Sequence, residues 1–350
     1  MEKELKNSIL FDQLCEEWLS YKKPRIKEST YSNYKFSIDR FLKRSFYGKT
    51  LEFFVDYNFN QFVEELQSRL ANKTTRKIGV ILKSILRYAE RKYDFDFKLD
   101  LMTLPLVDPK EIEIFTDRER LKLERHLNKS QDIKELGIYI SLYAGLRIGE
   151  TCALKWSDID FENKLINITH TLQRVYVDKD DTKVVITNPK TKQSIRKIPI
   201  ARELFAKLKE MKRYYENDDY ILTGRSDRFV EPIGYRYTYK KVLRECRLQY
   251  KNYHCLRHTF ATRCIRVGMD VKSLSEILGH SNISITLSIY VHSSYEIKTE
   301  MKLLISVLII MALLRLLCCE DCKYLVIYTR KKSKFHFYHI HIYMLQFCNR

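Results

Sequence analysis

"YHCLRHTFATRCIRVGMDVKSLSEILGHSNISITLSIYVHS", residues 253–293, sets His254, Arg257, His280 and Tyr290 around what reads as two short helices. His254 and Arg257 are three residues apart, one helical turn, so both side chains project the same way. "DVKSLSEILGH" predicts an amphipathic helix capped by Asp270 and stopped by Gly279, which leaves His280 just past its end. "SNISITLSIYVH" then carries Tyr290 on the next helix. Taken singly, such histidines are more often ordinary hydrogen-bonded side chains than catalysts. One tyrosine among 24 is more often packed than reactive. The rest of the chain has to decide between a decorated core and a phosphate-handling site.

Upstream, "IKELGIYISLYAGLRIGETCALKWSDID", residues 133–160, predicts an apolar helix to Ala144, a turn at Gly145 and a second short helix. Arg147 falls in that turn, where a side chain can project into a cleft; alone it would read as a helix-terminus cation. Before it, "TDRERLKLERHL" starts a helix with a Thr116 cap and Glu119 three residues on, a capping box. "KLINITH", "KVVITNPK" and "SIRKIPI" gather β-branched residues around turn signals and predict a small antiparallel sheet. Lys190 stands in the polar turn "NPKTKQS" between two of these strands, at a tip able to reach a phosphate. From Ala201 the pattern returns to helix.

Toward the amino terminus, residues 8–100 read as four helices forming a small bundle. "SILFDQLCEEWLSYK" places Ile9, Leu10, Leu14, Trp18 and Leu19 at helical spacing, and "KESTYSNYKFSIDRFLKR" starts at a Ser29/Thr30 cap with Tyr34, Ile38, Phe41 and Leu42 on one face. "NFNQFVEELQSRL" and "NKTTRKIGVILKSILRYAERKY" repeat the pattern, the latter capped near Asn72–Thr74. Lys27, Thr30, Lys73, Thr74, Arg76 and Lys77 sit at helix starts, where they can meet phosphate, although any one such cation is more often a solvated charge. Two prolines and extended residues place a linker near 99–113.

The chain is 350 residues long, enough for two domains. It carries 63 Lys+Arg against 44 Asp+Glu, a formal charge of +19 that favours a polyanion, nucleic acid before an anionic membrane surface. Only 9 Gly and 6 Pro point to a mainly α protein. Cys15, Cys152, Cys246, Cys255 and Cys264 are scattered singly, as reduced core thiols are, and no apolar leader follows "MEKELKNSIL", so a cytoplasmic protein is expected. His254, Cys255, His258 and Cys264 lack paired ligand spacing, so neither a metal nor another cofactor is expected. Past Thr299 the composition shifts. An apolar run from Leu303 to Leu314 is too short to span a bilayer, and an aromatic, basic end shows no period.

Cutting a DNA strand without metal or nucleotide needs an in-line nucleophile, cations on the non-bridging oxygens and an acid for the departing 5′ oxygen. Arginine suits the clamp because its planar fork pairs with phosphate and keeps its charge. Tyrosine suits the nucleophile because a phosphotyrosyl ester conserves the bond energy, provided cationic neighbours help it react near neutral pH. "AGLRIGETCALKWSDID", "TNPKTKQSIRKIPI", "HCLRHTFAT" and "LGHSNISITLSIYVH", in this order, resemble the tyrosine recombinase (phage-type integrase) family over roughly residues 8–298. Single motifs such as H-x-x-R occur by chance; the ordered set does not.

The resemblance implies a helical core-binding (SAM-like) DNA-binding domain over 1–105, an α+β catalytic domain over 106–298 and an atypical tail over 299–350. It implies that Arg147 and Arg257 clamp the phosphate oxygens, that Lys190 is the general acid, and that His254 and His280 support proton transfer and hold the phosphate. Tyr290 would form the 3′-phosphotyrosyl bond, and Glu150 would steady Arg147. Tyr295 is a rival nucleophile; spacing from Gly279–His280 and the flanking Ile289 and Val291 favour Tyr290. The implied partners are double-stranded DNA, a homotetramer on two duplexes, and accessory DNA-bending or excision factors, with no membrane. The implied setting is a bacterial or phage-encoded protein on the nucleoid. About seven residues precede the first helix, so the extra domain that binds distant arm sites is expected to be missing. The tail reads as frameshifted or disordered, in place of the short helix that docks on a neighbouring protomer. The leading function is therefore integration or excision of a mobile element. The alternatives are a DNA-binding protein that keeps the fold without strand exchange, and a strand-nicking activity that relaxes supercoils.

Overall fold

The computed structural model describes residues 9–108, 112–179, 181–187, 195–280, 282–289, 327–331 and 338–342. Its amino-terminal part is a four-helix bundle: α1 Phe11–Lys22, α2 Glu28–Ser37, α3 Phe59–Gln67 and α4 Asn72–Tyr93. Helix α2 runs on through a π-helical turn at Ile38–Leu42 into Lys43–Ser45. The apolar positions spaced three and four apart close one core, with Phe11, Leu14, Trp18, Ile38, Leu42, Phe62, Leu82 and Leu86 almost fully buried.

Two caps differ from expectation. Helix α2 starts from an extended Lys27, because Lys23–Arg25 form a tight turn that delivers the chain one residue before Glu28. Ser29 then lies inside the helix and is buried, so neither it nor Thr30 caps. Helix α4 starts from Ala71, with no side-chain cap.

Beyond α4 the chain stays tied to the bundle before leaving it. Leu99 and Met102 are buried there, and Lys83 Nζ and Arg76 Nη1 donate to the carbonyls of Met102 (2.8 Å) and Pro105 (3.1 Å).

A second core and a smaller cluster of Ala261, Cys264, Ile265, Leu274, Leu278 and Ile289 gather α5 Asp117–Lys129, α6 Ile133–Ala144 and α7 Ile148–Ala153, then α8 Arg202–Lys212, α9 Pro232–Glu245, α10 His254–Arg266 and α11 Val271–Leu278. The Thr116/Glu119 capping box is present at α5, with Glu119 N–H donating to Thr116 Oγ1 at 3.3 Å and Thr116 N–H to Glu119 Oε2 at 2.8 Å. Helix α6 is buried on nearly every side and ends at Gly145, whose φ of 67° is the left-handed geometry that glycine adopts without strain.

Between residues 159 and 199 the β residues form two sheets rather than one. β1 Ile159–Asp160, β2 Leu165–Ile168 and β5 Arg196–Pro199 make a three-stranded antiparallel sheet in the order β1–β2–β5. β3 Thr171–Tyr176 pairs separately with β4 Thr182–Thr187, Thr171 opposite Thr187. The sequence did not flag β3, because its buried residues Leu172 and Val175 are three apart and break the period of two. This hairpin leans on the bundle: Tyr176 N–H donates to Ser32 Oγ at 2.6 Å, and Tyr176 Oη donates to Asp39 at 3.1 Å. In the carboxyl-terminal tail, β6 Ile327–Lys331 pairs antiparallel with β7 Tyr338–Ile342. No helix among the described residues is long and apolar enough to cross a membrane.

Candidate active site

Three short segments build the site. The α6–α7 turn supplies Arg147 and Glu150, the first turn of α10 supplies His254 and Arg257, and the turn after α11 supplies His280. Close approach of α7 to β3 fixes the first: a Cβ on Gly149 would stand 2.5 Å from the Leu172 carbonyl oxygen. Asp270 caps α11 by accepting from Ser273 N–H at 2.9 Å, and Gly279, at φ 64°, ends it. Both boundaries match the sequence reading, and they leave His280 turned out of the helix.

The two arginines are cross-tied. Arg257, on α10, donates from Nη1 to the Gly145 carbonyl at 2.9 Å and from Nη2 to the Leu278 carbonyl at 2.6 Å. Arg147 donates from Nη2 to the Gly279 carbonyl at 3.1 Å and from Nη1 to Glu150 Oε1 at 2.8 Å. Each guanidinium therefore holds a turn belonging to a neighbouring segment, which fixes the approach of residues more than 100 positions apart in sequence. Arg257 is 1% exposed, whereas the Arg147 side chain is 36% exposed, so solvent reaches this cluster past Arg147.

Beneath them lies Glu150, 3% exposed. Its carboxylate accepts from Arg147 N–H at 2.9 Å as well as from the Arg147 fork, and from Arg196 Nη1 and Nη2 at 3.0 and 2.9 Å. Burial opposes ionisation, but the Arg196 hydrogen bonds, the charges of Arg196 and Arg147 and the Arg147 amide outweigh it, and the pKa falls to about 2. Arg196 is the functional side chain that sequence reading missed. It also donates from Nε to the Ile277 carbonyl at 2.6 Å. The signal was there: in "SIRKIPI" Arg196 alternates with Ile198 and Ile200, so a strand that buries those isoleucines buries the arginine too.

The histidines are held neutral. Burial, then the charges of Arg257 and Arg147, lowers His280 to about 3, while its Nδ1 shares a 2.8 Å hydrogen bond with the buried Thr286 hydroxyl. His254 sits at the exposed rim, and desolvation of its covered edge, His258, Arg257 and Arg147 all push its pKa down. The His258 ring packs edge-on to His254 at 4.5 Å, and burial followed by Arg257 lowers it to about 4. Burial and then Arg147 disfavour even the Arg257 charge. The cluster therefore carries an excess of positive charge over its one carboxylate, the condition that makes a phosphate welcome there.

Lys190 and Tyr290 lie outside the described residues. The helical residues 283–289 that lead to Tyr290 are anchored by Thr286 and Ile289, both buried. Far along the chain, Lys27, Lys73, Arg76 and Lys77 are exposed at the starts of α2 and α4, and Thr30 and Thr74 are half-buried beside them. Arg76 is committed to the Pro105 carbonyl, and Lys77 donates to Asn33 Oδ1 at 3.4 Å. Cys15, Cys152, Cys246, Cys255 and Cys264 are free thiols. Among the described residues, ligand atoms of His126, Glu135 and Glu245 come within 4.8 Å of one another, a group explained by the 3.0 Å pairing of His126 with Glu135.

The phage integrase family profile matches residues 115–296, and the profile of the phage integrase N-terminal SAM-like domain matches residues 10–52. The chain belongs to the phage integrase family, and it is a site-specific DNA recombinase of the tyrosine class, of the kind that serves mobile elements.

It is 31% identical to a "Tyrosine recombinase XerC-like" protein of Caldanaerobacter subterraneus subsp. tengcongensis, over 78% of this chain and 76% of that one. It is also 31% identical to the transposase from transposon Tn916 of Enterococcus faecalis, over 59% of this chain and 54% of the transposase. In fold it is similar to the Tn1549 transposon integrase in complex with a circular intermediate DNA, with a TM-score of 0.63 and 21% identity, over 79% of this chain and 94% of that one.

Proposed function

We propose that the cluster binds one scissile phosphodiester of double-stranded DNA, with Arg147 and Arg257 on its non-bridging oxygens and His254 and His280 supporting phosphate and proton. The Tyr290 oxygen attacks phosphorus, a Tyr–O–P bond forms, and the bond from phosphorus to the 5′ oxygen breaks. Lys190 gives that oxygen its proton, and the tyrosyl proton passes toward the histidines. A 5′ hydroxyl from another strand reverses the step, so ligation needs no external energy. The observation that carries this reading is the crossed tie of Arg147 to Gly279 and Arg257 to Gly145, which brings two guanidinium groups into one carboxylate-backed cluster.

In this reading residues 1–105 form the core-binding domain and residues 106–298 the catalytic one. Lys27, Thr30, Lys73, Thr74, Arg76 and Lys77 contact backbone phosphates, and four protomers join two duplexes in a bacterial cytoplasm, with accessory factors setting direction.

A nicked suicide duplex, which loses its short 5′ fragment after cleavage, tests the chemistry. The wild type should give a denaturant-resistant protein–DNA adduct that Tyr290→Phe abolishes and Tyr295→Phe retains. Tight DNA binding with no adduct from the wild type would leave only a DNA-binding protein with this fold.

A further inference from the structure

We infer that Arg196 is a positioning residue for the phosphate site, locking the Arg147–Glu150 pair, the turn before His280 and strand β5 into one geometry. The inference rests on the phosphodiester reading above and adds to it a residue that never touches DNA.

Three observations meet at this side chain. Its two terminal nitrogens take both oxygens of Glu150, at 3.0 and 2.9 Å, a paired fork in a buried setting where both groups are under 5% exposed. Its Nε holds the Ile277 carbonyl at 2.6 Å, in the last turn of α11, two residues before the Gly279 carbonyl that Arg147 holds. It opens β5, which is pinned to β2 by the pairing of Ile168 with Arg196 and Ile166 with Ile198. A single side chain thereby ties β5 to two segments that each bear a phosphate-binding or proton-transfer residue.

The electrostatic consequence is as definite as the geometric one. Arg147, Arg196 and Glu150 together carry one net positive charge, so Arg196 restores what Glu150 takes from Arg147. The charged and titratable groups facing Glu150 are Arg147 from the α7 turn, Arg196 from β5, and Arg257 and His254 from α10. Arg196 contributes the largest share of what keeps this buried carboxyl ionised. Without it, burial raises the carboxyl toward protonation, and a protonated Glu150, left with one accepting oxygen and no charge, holds Arg147 less firmly. Loss of Arg196 should therefore hurt most at acid pH.

The test measures the first-order rate of adduct formation on saturating suicide duplex, from pH 5.5 to 8.5, for wild type, Arg196→Gln and Arg196→Lys. Duplex affinity is measured in parallel. Arg196→Gln should slow the adduct roughly ten- to hundredfold at pH 7.5, leave affinity within about twofold, and lose further ground to wild type as pH falls. Arg196→Lys keeps the charge without the fork; it should recover part of the rate and keep a constant ratio to wild type across pH.

A folded Arg196→Gln that reacts at the wild-type rate at every pH overturns the inference, as does a rate loss fully accounted for by weaker DNA binding. If Arg196→Gln fails to fold, Arg196→Lys decides alone: a several-fold slower rate at unchanged affinity supports the inference, and a wild-type rate overturns it. A wild type that binds DNA without forming an adduct counts against the phosphodiester reading instead.

Discussion

Replacing Glu150 by glutamine removes the charge on which Arg147 and Arg196 converge, while keeping shape and one accepting oxygen. Its stability cost follows from the site itself. Holding the carboxyl at about 2 against an ordinary 4.5 corresponds to ~3 kcal/mol of folding free energy at neutral pH. Because the folded pKa lies below the unfolded one, this stabilisation is complete above pH 4.5 and drains as pH falls toward 2. About half remains at pH 3.

Urea unfolding can read it selectively. The chain has two tryptophans, and Trp156, stacked on Tyr215 at 5.7 Å, reports on the carboxyl-terminal core once Trp18 is replaced by phenylalanine. In that background Glu150→Gln should cost ~3 kcal/mol at pH 7 and roughly half as much at pH 3. A variant as stable as its parent at pH 7, or a gap that does not narrow with acid, refutes the claim that this carboxylate charge organises the site.

Gly149→Ala sets a Cβ 2.5 Å from a strand carbonyl and 2.7 Å from Thr171 Oγ1. Overpacking should outweigh the gain in helix propensity and cost ~1–2 kcal/mol net in the same unfolding assay; a stabilised variant would show that α7 and β3 part easily. His254, His258 and His280 are held below 6.5 in the free protein, so an incoming phosphate should draw protons onto them. Binding enthalpies at pH 5.5 in two buffers of different ionisation heat should reveal uptake of up to about one proton; identical enthalpies would contradict it. Lys73→Glu and Lys77→Glu should weaken duplex binding without sequence preference and flatten its log–log salt dependence by roughly one per lost contact. An unchanged slope would remove these residues from the DNA surface.

Much of this was legible because helix signals are local. The Thr116 box, the Gly145 and Gly279 stops and the one-turn spacing of His254 and Arg257 each lie within a few residues, and the structure has them where the sequence put them. The misses came from partnership at a distance. Ser29 and Thr30 look like caps until the turn at Lys23–Arg25 starts the helix earlier. Strand β3 lacks a strict alternation and is defined by its pairing with β4. Arg196 goes unassigned until Glu150, 46 residues earlier, is seen to need a second cation.

Separate segments must meet at a single phosphodiester, and a structure of the Tyr290→Phe chain on an uncleaved duplex examines that directly. It should place one backbone phosphate within hydrogen-bonding distance of Arg147, Arg257 and His280 together. A duplex whose nearest phosphate sits beyond reach of Arg257, or is held only by the helical bundle, would contradict it.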